Sequence, residues 1–392
     1  MSTTVCLAAA RTVAYPQGSG HLWVYLQWAL GLRALGCNVF WLEGIDPRDP
    51  EQQSLERVAA LKVRLEPYGF AESLALFSLT GAPLPPIVAG SALDLDAAAE
   101  ADLLLNLWHS LPPSVVSRFR RTAFVDTDPG LLQIWMTRGD IRVAPHHIFF
   151  TIGETVGTPD ALFPDCGLRW HYTRPPVFLA QWPPIPSGSS APYTTVTHWW
   201  GSAFEFEGRI INEEKHVAFL EYQDLPSKTT VHLELAICLA EHYEEWRSRM
   251  EPFGWKIREA WDVSATPQSY RAYIQQSRGE FSCAKPSCVT LANAWISDRT
   301  LCYLASGKPA VVQHTGKSRF LPDAEGLFRF RDMDEAVRAL AAAESDYARH
   351  SRLARALAEE FDARDVVARV LEQALATRRA DRERPEAAVT RS

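Results

Sequence analysis

The chain has 392 residues, 47% hydrophobic and 22% charged, which is the composition of a folded globular protein too long for one small core; two domains are expected. A formal net charge of −7 argues against broad binding to nucleic acid or an anionic membrane surface, and no apolar run reaches membrane-spanning length. Seven scattered cysteines, an odd number, read as reduced thiols, and the opening MSTTVCLAAARTV lacks a basic segment followed by a long apolar core, so a cytoplasmic protein is expected.

TVCLAAA (4–10) reads as a buried strand, YPQGSGH (15–21) as a glycine-containing turn, HLWVYLQWALGLRALG (21–36) as an apolar helix closed by Gly36, and NVFWLE (38–43) as the next strand. That is a βαβ opening with a glycine loop at its first turn. LLLNLW (103–108), TAFVDTD (122–128) and HIFFTIG (147–153) continue as short apolar strands with polar ends, so residues 1–181 are expected to form a first doubly wound domain. WPPIPSGSSAP (182–192) holds four prolines, a glycine and three serines, the composition of an exposed linker.

A second α/β series occupies 193–350. TTVTHWWG (194–201), TVHLELAI (230–237) and EFSCAK (280–285) read as strands, KHVAFLEY (215–222) and SYRAYIQQSR (269–278) as helices. In WISDRTLCYLASGKPAVVQHTG (295–316), Ser297 or Asp298 caps a helix, Gly307 and Pro309 stop it, AVV (310–312) is a buried strand, and His314-Thr315-Gly316 turns away at its C-terminal end. DMDEAVRAL (332–340) gives one more helix. Val367, Val370, Leu371 and Leu375 keep helical spacing, so 351–376 reads as C-terminal helices available to pack back on the first domain. Residues 377–392 are charged and aperiodic, as a disordered tail would be.

GSGHLWVYLQWALGLRALGCNVFWLE (18–43) and GEFSCAK through GLFRFRDMDEAVRAL (279–340), with its Gly-Lys-Pro turn, resemble the opening and the ending of the two-domain GT-B glycosyltransferases. The resemblance implies two Rossmann-like domains facing each other across a cleft, and transfer of a sugar from a nucleotide-diphosphate donor to a small-molecule or glycan acceptor, without metal or further cofactor. An epimerase of the same architecture and a non-catalytic nucleotide-sugar-binding protein are the alternatives. Retaining members usually carry a glutamate five residues before the glycine of Gly-Lys-Pro and another eight residues earlier; here those positions are Cys302 and Ala294.

Such a reaction must neutralise a diphosphate, for which helix N-termini and cations are suited. The donor side is therefore expected to use Ser297, Asp298, Arg299 and Thr300 at the helix start, Lys285 at a strand end, Thr315 and Gly316 in the turn, and the loop glycines Gly18 and Gly20. Arg209 and Lys215 resemble the family's Arg…Lys phosphate clamp with one extra residue between them. His21, with Asp126 or Asp128 to orient it, matches the base that takes the acceptor's proton in inverting members. Trp199, Trp200 and Trp295 read either as core or as stacking groups, and His109, His146 and His147 are open in the same way. Cys283 and Cys288 lack a second pair at zinc-like spacing and read as buried thiols.

Overall fold

A computed structural model of the protein describes residues 2–15 and 17–376; the tail expected to be disordered, 377–392, lies outside them. The first half is built on eight parallel strands, β1 (Thr4–Ala8), β2 (Asn38–Ile45), β3 (Leu74–Ser78), β4 (Leu93–Asp94), β5 (Leu103–Asn106), β6 (Thr122–Asp126), β7 (Ile148–Thr151) and β8 (Trp170–Tyr172), in the order β4-β3-β2-β1-β5-β6-β7-β8. The central β1 is an unbroken apolar run because both its faces are covered: Val5 through Ala8 are fully buried.

A small antiparallel hairpin follows β9 (Tyr193–His198) and consists of β10 (Ala203–Phe206) and β11 (Arg209–Asn212). Its two turn residues, Glu207 (φ 50°) and Gly208 (φ 73°), are both left-handed, as a tight two-residue hairpin turn requires. The second sheet comprises β9, β12 (Leu233–Cys238), β13 (Lys256–Glu259), β14 (Gly279–Ser282), β15 (Ala310–Gln313), β16 (Ala324–Glu325) and β17 (Leu327–Phe330), in the order β13-β12-β9-β14-β15-β17-β16. All its pairs are parallel except the short edge strand β16. The expected pair of Rossmann-like sheets is therefore present. Strand order reverses between β1 and β5 in one sheet and between β9 and β14 in the other, and crevices at such reversals, outside the strands' C-terminal ends, are where ligands bind in open α/β sheets.

The helix Ser19–Ala34 packs against both halves. Trp23 donates its indole N–H to the Pro267 carbonyl (3.0 Å), and its ring lies 4.8 Å from that of Trp182, which in turn meets Tyr270 at 6.4 Å. Trp182 is fully buried, so the segment expected to be an exposed linker begins as a wedge between the halves. Its prolines and serines are largely exposed, yet its backbone is strapped down: Ile185 N–H donates to Ser306 O (3.3 Å), and Lys308 of the Gly-Lys-Pro turn donates from Nζ to Ile185 O (2.6 Å). The C-terminal helix Ala363–Ala376 does pack back on Ser19–Ala34, closely enough that a Cβ at Gly31 would lie 2.8 Å from Val367 Cγ2.

Trp182→Ala removes the wedge without touching either sheet. It should lower stability by about 3–5 kcal/mol, the range for large aromatic-to-alanine changes, and urea unfolding should broaden or split as the halves lose their shared contact. A single sharp transition at the wild-type midpoint would show that Trp182 does not couple them.

Candidate active site between the two sheets

The helix Asp298–Ala305 points its N-terminus at the reversal between β9 and β14. Ser297 has the extended backbone of an N-cap (φ −71°, ψ 138°) and its carbonyl accepts from Leu301 N–H, but its hydroxyl makes no capping bond. Ser297 is therefore the cap residue by its backbone and not by its hydroxyl, which corrects the side-chain cap expected of it. Burial raises the Asp298 pKa, and the charge of Arg299 works in the opposite direction.

Arg299 is also reassigned. Its side chain is buried, and all three of its nitrogens are engaged: Nε donates to Glu280 Oε1 (2.8 Å), Nη1 to Val196 O (3.0 Å) and Nη2 to Ser282 Oγ (2.6 Å). Burial alone would lower its pKa; the buried Glu280 carboxylate more than offsets this and raises it. Arg299 ties the helix to β9 and β14, and it also lines the crevice.

Lys215 opens the helix Lys215–Glu221 and lines the same crevice as Ser282, Ser297, Thr300, Gln313 and Thr315. Its ammonium has no carboxylate within ion-pair distance and no hydrogen bond among the described residues. Burial, then the positive charges of Arg299 and Lys285, press its pKa down to about 7. Lys285, by contrast, is paired with Asp128 (3.4 Å) and Glu213 (3.7 Å); burial works to lower its pKa, and Asp128 leads the charges that raise it. His198, the exposed last residue of β9, was not singled out in the sequence; desolvation first, then the charges of Lys215 and Lys285, lower its pKa. The signal that could have found it is its position at the strand end flanking the reversal. Arg209 does not reach this group; it is exposed on β11 and does not line the crevice.

Across the cleft, His21 and Asp126 do not touch. Asp126 is fully buried and accepts from Asp128 N–H, Gln133 Nε2 and Thr151 Oγ1, each at 2.9 Å; burial nonetheless pushes its pKa up to about 7. It builds the turn after β6. His21 donates from Nε2 to the Ala10 carbonyl (2.6 Å), because a carbonyl can only accept, which leaves Nδ1 with its lone pair. Tyr15 and Tyr25 flank the ring at 5.4 and 5.1 Å. Burial lowers the His21 pKa, with the Ala10 bond and the charge of Asp128 acting against it. Asp128 is therefore the carboxylate near His21, as it is near His109, but it is ion-paired to Lys285 and does not orient the imidazole.

The glycine loop serves packing. A Cβ at Gly20 would lie 3.1 Å from the Tyr270 ring and one at Gly18 would lie 3.2 Å from Tyr15 Cβ, so neither glycine is kept bare for a phosphate. Thr315 and Gly316 hold the loop 291–296 in place. Thr315 Oγ1 donates to Trp295 O (2.6 Å), Thr315 O accepts from Ala294 N–H (2.8 Å), and Gly316 (φ 121°) leaves no room for a Cβ against Ala292 O (2.6 Å). Ala292 (φ 47°) and Ala294 (φ 56°) are strained left-handed residues in that loop, and Asn293 anchors it to the first half through Pro129 O (2.8 Å). Cys302 is buried with Sγ accepting from Gln27 Nε2 (3.5 Å) of the first half. Trp199 is core, Trp200 is partly exposed, and His146 and His147 hydrogen-bond within the first half. Cys283 and Cys288 are buried free thiols.

No family model matches the chain, and no curated protein matches it in sequence. Solved structures do match. Anabaena Alr3699/HepE, in complex with UDP and glucose, is 13% identical over 95% of this chain and 99% of that one, with a TM-score of 0.54. AviGT4, a glycosyltransferase involved in avilamycin A biosynthesis, is 13% identical over 95% of this chain and 97% of that one (TM-score 0.52). The chain has the GT-B fold. The pneumococcal O-GlcNAc transferase GtfA, in complex with UDP and GlcNAc, is 9% identical over 95% of this chain and 98% of that one, also with a TM-score of 0.52. Among the described residues no helix is long and apolar enough to cross a membrane.

Arg299→Ala leaves Glu280 buried without a counter-charge and should cost about 3–5 kcal/mol in chemical denaturation. Lys215→Met should leave stability near neutral pH unchanged or raise it. The sign follows from the depressed folded pKa: the unfolded chain binds the extra proton, so wild-type stability rises with pH from about 7 toward the ordinary lysine value, and the variant should lose that slope. Equal slopes in the two proteins would place Lys215 in solvent.

Proposed function

We propose that the protein is a glycosyltransferase that takes a sugar from a nucleoside-diphosphate sugar and passes it to a small-molecule or glycan acceptor held by the first half. The observation that carries this reading is Lys215, a half-buried lysine that lines the crevice with no carboxylate within ion-pair distance among the described residues. A diphosphate supplies the missing negative charge. The nucleotides named with the structural neighbours make uridine diphosphate the first donor nucleotide to test.

In the reaction the bond between the sugar's anomeric carbon and the diphosphate oxygen breaks, its electron pair leaves with the phosphate, and the acceptor's heteroatom bonds to carbon. Lys215 stabilises the charge that develops on the leaving group. On this reading the lone pair on His21 Nδ1 takes the acceptor's proton, and the bond from Nε2 to the Ala10 carbonyl fixes the tautomer. An epimerase would need acid and base carboxylates beside the sugar, and positions 294 and 302 hold alanine and a buried cysteine. The seven free thiols accord with a cytoplasmic setting.

Lys215→Met should weaken nucleoside-diphosphate binding by about 1.5–3 kcal/mol, the range for charged hydrogen bonds, as measured by calorimetry. A bound diphosphate raises the lysine's pKa, so wild-type affinity should fall as pH rises above about 7 and binding should take up protons there; pH-independent affinity would remove Lys215 from the site. His21→Ala should reduce turnover by roughly 10²–10⁴-fold with nucleotide affinity kept. Full turnover in that variant, with the anomeric configuration of the sugar retained in the product, would assign the proton to the leaving phosphate.

A further inference from the structure

Resting on that reading, the surroundings of Trp200 assign the other end of the donor. Trp200 follows β9 two residues after His198, and 36% of its surface is exposed, at the edge of an aromatic group whose buried member is Trp246. Its neighbours meet it at an angle: His242 at 5.2 Å and 63°, His216 at 5.7 Å and 56°, Trp246 at 6.0 Å and 66°. No ring of the protein stacks parallel on the indole, among the described residues. His216 follows Lys215 in the first turn of the same helix, and its Nδ1 is buried without a hydrogen-bond partner. His216 thus links the indole, by ring contact, to Lys215, the residue before it in the chain.

We propose that Trp200 is the stacking platform for the base of a nucleoside diphosphate whose phosphates lie on Lys215, with His216 next to the base's polar edge. Direction along the crevice separates base from sugar. Lys285 and Asp128 lie toward His21, where an acceptor must be, so the sugar extends that way from the diphosphate. Trp200 packs on His242 and Trp246, in and just before the helix Tyr243–Met250 of the second half, away from that side. The group left to meet it is the nucleoside, and every base offers a π-face to an indole.

The test compares two probes on the full chain: inorganic pyrophosphate, and whichever of UDP, GDP, TDP and ADP binds the wild type most tightly. Trp200→Ala should raise the nucleotide's Kd about 5- to 150-fold, the span of base–aromatic stacking, and leave the pyrophosphate Kd within about twofold. Trp200→Phe should recover most of the affinity, which separates a lost platform from a disturbed fold. Nucleotide affinity unchanged in Trp200→Ala overturns the platform while leaving the anion site standing, and so does an equal loss for both probes. A wild-type protein that takes up neither probe overturns the glycosyl-transfer reading and this inference with it.

Discussion

The ion pair between Arg299 and Glu280 is the contact on which the second half's crevice depends. Glu280 lies on β14, and Arg299 reaches it from the helix Asp298–Ala305 while also bonding Val196 of β9 and Ser282 of β14. One guanidinium thereby fixes two strands and a helix N-terminus at the point where strand order reverses. Removing both charges from water is expensive, and Glu280 Oε2 is left without a partner, so the pair is a poor device for stability alone. What it provides is position. The fork geometry of arginine admits one arrangement of its three acceptors, and the floor of the crevice takes its shape from that arrangement.

With that floor in place, the remaining charges sort by partner. Lys285 is matched to Asp128 and Glu213, and Arg299 to Glu280. Lys215, half-buried, has no carboxylate within ion-pair distance among the described residues, and burial, then Arg299 and Lys285, lowers its pKa. Lys285 plays a different part: its ammonium joins a strand end of the second half to the turn built by Asp126 in the first, at a distance loose enough for the pair to part.

Sequence patterns carried the architecture because they report faces and ends. The apolar runs of β1, β5, β6 and β15 and the Gly-Lys-Pro stop marked strands and the site's helix correctly. The helix Glu51–Leu65 and β3 went unread, and so did the β10–β11 hairpin, although Glu207-Gly208 between two short alternating segments is a turn signal. Partners were not legible. Arg299 looks like a surface or phosphate-binding residue until Glu280, nineteen positions away, is known to lie beneath it. His21 and Asp126 have the right spacing for a dyad, yet Asp126 is spent on Gln133 and Thr151, and a backbone carbonyl does the orienting. Composition misled at Trp182, since prolines and serines announce an exposed strand of chain while one tryptophan decides how it is anchored.

The departures from the family pattern have a structural reason. Cys302 sits on the face of its helix that packs against Ser19–Ala34, where its sulfur meets Gln27 Nε2 while Gln27 Oε1 accepts from Phe178 N–H (2.7 Å). A carboxylate there would be desolvated against the first half, with a side-chain amide as its near neighbour and the charge of Arg299, already held by Glu280, as the cation acting on it. The same helix face continues into the apolar seam of Trp23, Trp182 and Tyr270, so the two halves are joined by dry packing on this side and by the looser Lys285–Asp128 pair across the crevice. Dry, interlocked aromatic contact resists separation more than a partly exposed ion pair does. The halves are therefore held more firmly at the seam than at Lys285, and Cys302 lies on the firmly held side.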